Sequence, residues 1–154
     1  SVFMIIQKWL TTNVPSGYSR KQKTIVLQCG GRAMAQFNHS PGQLVEKLTE
    51  YEGVVDYVLI DPSGGLGTPF DTGFATNFLK KLFETTCLPT MNFGIAGGLS
   101  PKTLPDLLVP ILERFPEISI DAEGRLRTIE DNLSIEIANE YLELSENLFR
   151  KYQS

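Results

Sequence analysis

The sequence predicts an α/β fold in which four parallel strands alternate with helices, and three observations support this. Four short runs are almost uniformly apolar, as strands buried on both faces are. The segments between them carry apolar residues at helical spacing, and each run ends in glycine or aspartate. Strands that alternate with helices lie parallel, because each helix returns the chain to the end of the sheet from which the strand started.

The composition indicates a single folded domain without a polyanionic partner. Of 154 residues, 42% are hydrophobic and 21% are charged, which is typical of globular proteins. The net charge of −4 argues against binding to nucleic acid or to a membrane surface. We therefore expect neither partner. A phosphate site in this chain would have to consist of backbone amides rather than of a basic patch.

The cysteines and the histidine bear on cofactors and cellular location. Cys29 and Cys87 have neither disulfide nor metal-ligand spacing, which favours a reducing compartment. The single histidine, His39, leaves little room for a metal site and is expected at the surface. No apolar run is long enough to span a bilayer. These features predict a cytoplasmic protein without a metal or another cofactor.

The chain opens with a predicted amphipathic helix and then a strand. The apolar stripe of this helix consists of Val2, Phe3, Ile5, Ile6, Trp9 and Leu10. A polar loop over 13–23 leads to the first strand, Thr24 to Cys29, which is rich in β-branched residues and is closed by glycines. A loop is predicted over 31–40.

The next unit is a helix that leads into the second strand. Ser40 and Pro41 have the residue types of an N-cap and a first helical position, and Gly53 ends the helix. The second strand is predicted at 54–60, up to Asp61. A glycine-rich loop over 61–71 follows it.

The third helix and the third strand come next. Asp71 or Thr72 caps this helix, whose buried face is expected to consist of Phe74, Phe78, Leu79, Leu82 and Phe83. The third strand runs from Met91 to Ala96 and ends at Gly97 and Gly98. Two glycines before a helix let a ligand approach backbone N–H groups where an anion is favoured. A tight turn that needs glycine dihedrals is an equal alternative.

The last part of the chain holds two helices and one strand. Ser100 and Pro101 predict the start of the fourth helix, which two internal prolines, Pro105 and Pro110, should kink or break. The fourth strand is predicted at 118–121. After a loop over 122–130, a long helix from Asp131 to Tyr152 has its apolar stripe at Leu133, Ile137, Tyr141, Leu144, Leu148 and Tyr152.

Four such strands form either a small open sheet or one half of an eight-stranded (β/α) barrel. Glycine-rich or acidic loops after the strands suit the ligand face of a barrel. A full barrel needs about 250 residues, so 154 residues are too few for one. We therefore expect residues 1–154 to be a single half-barrel domain in a longer barrel chain. A dimer of two half-barrels is the narrower alternative.

Three segments in register resemble the phosphoribosylanthranilate isomerase family. Residues 57–61 with the glycines, proline and Phe-Asp pair of 64–71 resemble the sixth barrel strand and its loop. The run Ile-Ala-Gly-Gly-Leu-Ser-Pro at 95–101 resembles the seventh strand and its phosphate loop. Residues 120–124, Ile-Asp-Ala-Glu-Gly, are a weaker match to the eighth strand. The resemblance implies the C-terminal half of a TIM barrel.

The resemblance also implies a reaction and its site. The family catalyses an Amadori-type isomerisation of a phosphoribosylated amine in tryptophan biosynthesis, so the implied partner is a small phosphorylated substrate. Phosphate would bind at Gly97 and Gly98 and, on the other side, at Gly124 with the amide of Arg125.

Two aspartates are the implied catalytic and orienting groups. Asp61 would be the general acid, although an aspartate before Pro62 also suits an Asx turn. Asp121 would orient the substrate amine, or else cap its loop. The family's base is a cysteine on the first barrel strand. Cys29 would lie on the fifth strand, where a buried, unreactive thiol is expected, so the upstream half must supply the base.

The eighth-strand segment departs from the family pattern. Glu123 stands where a serine is usual, and its charge would repel a phosphate unless Arg125 or Arg127 offsets it. Two functions therefore stay open. One is an isomerase whose base comes from the upstream half, and the other is a non-catalytic phosphate-binding or assembly module.

Overall fold

The computed structural model describes residues 24–63 and 68–153. The predicted N-terminal helix and the glycine cluster at 64–67 lie outside the described residues. One sheet contains the strands β1 (Val26–Cys29), β2 (Tyr57–Ile60), β3 (Asn92–Ala96) and β4 (Ser119–Asp121). Neighbouring strands are parallel and follow the order of the sequence. The predicted α/β fold is confirmed, and it is consistent with half of a TIM barrel.

The register of the sheet brings the carboxyl ends of the strands level. Ile60 of β2 lies opposite Cys29 of β1 and opposite Ile95 of β3. Ile95 in turn lies opposite Ile120 of β4. The residues that follow these positions leave the sheet together at one end, where ligands bind in parallel α/β folds.

The helices are α1 (Gly31–Gln36), α2 (Pro41–Leu48), α3 (Thr72–Phe83), α4 (Leu104–Leu112) and α5 (Ile135–Tyr152). A 3-10 turn, Thr49–Tyr51, extends α2, and Gly53 follows with a φ of +75°. Ser40 and Asp71 accept hydrogen bonds from the backbone N–H groups of Gln43 and Phe74, which confirms both as caps.

Helix α1 lies where the sequence predicts a loop. Its sequence, Gly-Arg-Ala-Met-Ala-Gln, contains good helix formers but is only six residues long. Met34 is 1% exposed and anchors the helix in the core. Asn38 and His39 then have positive φ, which ends the helix. The burial of Met34 therefore makes this segment helical, although the segment is too short to show a periodic apolar pattern.

The two C-terminal helices begin later than predicted. The Oγ atom of Ser100 accepts a hydrogen bond from the N–H of Thr103, as a cap does, but the regular helix α4 begins at Leu104. Pro110 lies inside α4 without breaking it. Helix α5 is capped by Ser134. Leu133 therefore lies outside the helix and is 56% exposed, so its place in the buried stripe is wrong.

The core lies between the helices and one face of the sheet. Val58, Ile60 and Ile95 point to this face and are fully buried, as is Phe78 on α3. On β1 and β2 the strand positions that alternate with the core positions are more exposed, and Val26 is 55% exposed. The described residues thus cover one face of the sheet, which would be the outer face of a barrel.

Candidate functional site

A cavity of about 430 Å³ lies at the carboxyl ends of the strands. All six residues that the sequence singles out line it: Asp61, Gly97, Gly98, Asp121, Gly124 and Arg125. They follow β2, β3 and β4 or end them. The level register of the sheet therefore brings together residues that are up to 64 positions apart in the chain (Asp61 to Arg125).

Asp61 is the most buried of the acidic residues in this cavity, with 2% exposure. One carboxylate oxygen, Oδ1, accepts hydrogen bonds from the N–H and the hydroxyl of Ser63, at 3.1 and 2.6 Å. The other, Oδ2, accepts a hydrogen bond from Nε2 of Gln28 at 3.0 Å. The Asx turn that the sequence suggested is thus present, and Ser63 is its partner. The turn fixes the carboxylate at the cavity wall, so the two interpretations are compatible.

Gly97 and Gly98 form a turn that no other residue type fits without strain. Their φ angles are +113° and +65°. A Cβ atom on Gly98 would lie 2.4 Å from the backbone N of Pro69, and one on Gly97 would lie 3.1 Å from Oδ1 of Asp61 and from Oγ of Ser63. Because the 68–69 backbone packs directly on the turn, the tight-turn alternative is also realised.

A hydroxyl network holds the same turn from the other side. Thr103 Oγ1 donates to the carbonyl of Gly98 at 2.8 Å and accepts from the N–H of Ser100 at 3.0 Å. The N–H groups of Gly98 and Leu99 form no hydrogen bond with any residue that the structure describes. Two backbone donors at the cavity wall therefore have no described acceptor.

The cavity is acidic on the side of β4. Asp121 ends this strand, and burial, followed by the negative charges of Glu123 and Asp61, raises the pKa of its carboxyl. Among the residues that the structure describes, Asp61, Asp121, Glu123 and Asp131 line the cavity together with two arginines, Arg125 and Arg127. A negatively charged ligand group must therefore rely on backbone donors or on these arginines.

Arg127 holds the loop between β4 and α5. Its Nη2 atom lies 2.7 Å from Oε1 of Glu123, and its Nη1 atom lies 3.5 Å from Oδ1 of Asp131. Nη1 also donates to the carbonyl of Asp131 at 2.9 Å, where the backbone has a φ of +63°. Arg127 thus offsets the charge of Glu123.

Gly124 differs from the other two glycines. It begins a 3-10 turn over Gly124–Leu126, and a Cβ atom built on it would meet nothing within 4 Å. Neither packing nor a positive φ requires glycine here. The side chain of Arg125 is exposed beside it.

Two lining residues, Gln28 and Ser63, contact the carboxylate of Asp61. Gln28 lines the cavity and contacts Asp61, whereas the adjacent Cys29 points into the core and is 2% exposed. Successive side chains of a strand point to opposite faces of the sheet, so Gln28 and Cys29 point in opposite directions. This alternation can be inferred from the sequence. Burial raises the pKa of the Cys29 thiol to about 11, so the expected buried thiol is confirmed. His39 is exposed and contacts the ring of Phe74 edge-on, away from the cavity. Ser63 lies in a loop, where no such alternation indicates that its side chain lines the cavity.

Within residues 24–63 and 68–153, no group of three or more His, Cys, Asp or Glu side chains has an arrangement that could hold a metal ion. None of the described helices combines the length and the hydropathy that crossing a bilayer requires.

One curated protein is similar to this chain in sequence. It is the N-(5'-phosphoribosyl)anthranilate isomerase of Methanocella arvoryzae, with 33% identity over 91 residues, which is 56% of this chain. The match covers 39% of that isomerase, so the chain spans about two fifths of the relative's length. No protein-family profile and no solved structure matches the chain. The similarity supports a distant relationship with this isomerase family.

Proposed function

We propose that this chain forms the phosphate-binding half of an isomerase similar to phosphoribosylanthranilate isomerase. The observation that carries the proposal is the cavity, because residues from three strand ends that resemble the family's site line one space. The sequence similarity to an isomerase of that name supports the same assignment. The reaction would be an Amadori-type isomerisation of a phosphorylated sugar amine.

The Gly97–Gly98 turn is the proposed phosphate site. The N–H groups of Gly98 and Leu99 have no described acceptor, and Gly98 lies at the cavity wall. Backbone donors suit this role because the cavity holds more acidic than basic side chains. Gly124 and the amide of Arg125 would contact the phosphate from the β4 side, where no side chain obstructs Gly124.

Asp61 is the proposed general acid. Gln28 and Ser63 fix both of its oxygens at the cavity wall, so the carboxyl group is preorganised. Protonated, it would donate its proton to the ring oxygen of the sugar as the ring opens, while Asp121 would orient the amine. A general base must remove the proton from the neighbouring sugar carbon. We assign that base to the barrel half that is not part of the described residues.

An assay of the complete barrel protein with phosphoribosylanthranilate tests the acid. Asp61→Asn keeps the size and one acceptor oxygen but cannot donate a carboxyl proton, so we expect kcat to fall by about 10²–10⁴. The affinity for the substrate should change far less. Ser63→Ala is the matched control, because it removes a neighbour of Asp61 without removing the acid. An unchanged kcat in Asp61→Asn would show that this assignment is wrong.

A second function is favoured by the charge of the cavity. Its acidic excess and the ion pair of Glu123 with Arg127 suit a binding or assembly module that has no turnover. Ribose 5-phosphate distinguishes the two functions when it is titrated into ¹⁵N-labelled protein. Shifts at the amides of Gly98, Leu99 and Gly124 without turnover of any phosphoribosyl amine would indicate the module. Chemical-shift changes confined to other residues would show that phosphate does not bind at these amides, which would contradict both proposed functions.

A further inference from the structure

Gln28 lines the cavity from β1, the strand next to the one that leads to Asp61. Its side chain is exposed at the cavity, whereas the next residue, Cys29, is buried in the core. Gln28 lies opposite Leu59 of β2, which comes two residues before Asp61. Because side chains two residues apart on a strand share a face, Gln28 and Asp61 leave the same face of the sheet, with Asp61 nearer to the carboxyl end.

Small residues flank Asp61 at its level of the sheet. By the register of β1 and β2, the residue level with Asp61 on β1 is Gly30, which has no side chain. On β3 the level residue is Ala96, whose side chain is a single methyl group. Gly30 therefore leaves room for the side chain of Gln28 to reach the carboxylate of Asp61, and neither neighbour fills the cavity in front of it.

The contact with Asp61 orients the amide of Gln28. Nε2 donates to Oδ2 of Asp61 at 3.0 Å. A glutamine side chain ends in a planar amide with a carbonyl oxygen that accepts and an NH₂ group that donates. With Nε2 directed to the carboxylate, Oε1 is left for another partner, and it accepts no hydrogen bond from residues 24–63 and 68–153. Gln28 thus brings to the cavity an acceptor for which the described chain supplies no donor.

Donors and acceptors lie in different parts of the cavity. The N–H groups of Gly98 and Leu99 are donors, which suit a phosphate. On the strands, the carboxylate of Asp121 and Oε1 of Gln28 are acceptors. A ligand that matches both parts has an anionic group at one end and hydroxyl or amine donors at the other, as a phosphorylated ribosyl amine does.

We propose that Oε1 of Gln28 accepts a hydrogen bond from a hydroxyl of the ribose ring, and that this contact selects a ribosyl over a deoxyribosyl substrate. The inference rests on the proposed function, in which phosphate binds at the Gly97–Gly98 turn. Asp61 adjoins this turn, since a Cβ atom on Gly97 would lie 3.1 Å from its Oδ1 atom. A sugar without the hydroxyl leaves Oε1 unpaired once the ligand has displaced water, which lowers the affinity.

Calorimetric titration of the complete barrel protein tests this contact with ribose 5-phosphate and its 2-deoxy and 3-deoxy analogues. We expect the wild type to bind one analogue about three- to tenfold more weakly than ribose 5-phosphate, which corresponds to one hydrogen bond. Gln28→Met keeps the length of the side chain but removes both polar groups, so it should bind ribose 5-phosphate and that analogue equally. Equal affinity of the wild type for all three sugars, or discrimination that persists in Gln28→Met, would overturn the proposal.

Two further variants separate contact with the sugar from support of Asp61. Gln28→Lys offers a donor to Asp61 but has no acceptor, so it should lose the discrimination between the sugars even though its charge changes the affinity for all three. Ser63→Ala removes a donor to Asp61 and leaves Gln28 in place, so it should discriminate as the wild type does. Discrimination retained in Gln28→Lys, or lost in Ser63→Ala, would show that the effect depends on Asp61 and would contradict the proposal.

The amide signals of Gly98 and Leu99 distinguish failure of this inference from failure of the proposed function. If ribose 5-phosphate shifts these signals and both deoxy analogues bind equally well, the phosphate site is supported and the role of Gln28 is wrong. If ribose 5-phosphate does not bind, the phosphate site and the role of Gln28 are both contradicted.

Discussion

The two loops that form the proposed phosphate site are held by different forces. The Gly97–Gly98 turn is held by backbone fit, because Pro69 packs on it and Thr103 accepts and donates at its far side. The loop after β4 is held by charge, because Arg127 joins Glu123 and Asp131 across an exposed surface. The first loop has dihedrals that only glycine adopts easily, whereas Gly124 in the second loop does not.

This difference indicates which loop is rigid and which one adapts. A turn fixed by steric contact keeps its N–H groups in place whether or not a ligand is present, which is the arrangement expected for preorganised binding. An exposed ion pair contributes less and is screened by salt. The charged loop is therefore the part of the cavity that we expect to rearrange around different ligands.

The largest effect is expected for Gly98→Ala. The left-handed φ and the approach of the new Cβ to 2.4 Å from the Pro69 nitrogen should together cost about 2–5 kcal/mol of unfolding free energy. Urea unfolding of wild type and variant measures this difference.

Gly124→Ala is the matched control for this substitution. Its Cβ meets nothing within 4 Å, so the change in unfolding free energy should stay within about 0.5 kcal/mol. Equal destabilisation by the two substitutions would contradict the distinction between the loops.

Gly97→Ala should have an intermediate effect. The φ of +113° is unfavourable for alanine, but the Cβ would meet the side chains of Asp61 and Ser63 at 3.1 Å, and side chains can shift. We expect a loss of about 1–3 kcal/mol in unfolding free energy. Chemical shifts of the Ser63 amide should report the displaced carboxylate. A loss as large as that of Gly98→Ala would mean that Asp61 is held more rigidly than its contacts suggest.

Arg127→Ala should destabilise the protein only slightly. It breaks a network of two ion pairs and one backbone hydrogen bond at a partly exposed site, which is worth roughly 0.5–1 kcal/mol. The loss should shrink as salt is added, and unfolding at low and high ionic strength measures it. Arg150→Ala is the control. It removes a single ion pair, with Glu146, that is more exposed than the pairs of Arg127, so it should lower the unfolding free energy by less. A loss of unfolding free energy that does not depend on salt would show that Arg127 stabilises the loop by packing rather than by its charge.

Asp121→Asn should have the smallest effect, and its sign depends on pH. Burial, Glu123 and Asp61 raise the pKa of Asp121 in the folded protein above its ordinary value of 3.8. Below pH 3.8 Asp121 is protonated in both the folded and the unfolded chain, and its full contribution to folding stability is present. This contribution is lost as the pH rises through the raised pKa of the folded protein. The variant should be slightly more stable than wild type at neutral pH and equal to it at pH 3. Unfolding curves over this range check the prediction, and a destabilised variant at neutral pH would contradict it.

The fold could be predicted in outline because its signals are local. Ser40 and Asp71 cap their helices as predicted, since a cap depends on a few adjacent residues. The strands lie where the apolar runs are, although each strand is shorter than its run. Helix α1 was not predicted, because six residues are too few for a periodic pattern and the burial of Met34 decides it.

The sequence by itself determined the succession of strands and helices and the glycine and aspartate residues that follow the strands. Hydrophobic periodicity and turn chemistry are local properties, so they can be read along the chain. Only the tertiary structure decided that Asp61 contacts Gln28 and Ser63, that Pro69 packs on Gly98, and that Arg127 offsets Glu123. These contacts depend on the sheet register and on the path of loops between distant segments, which no local pattern specifies.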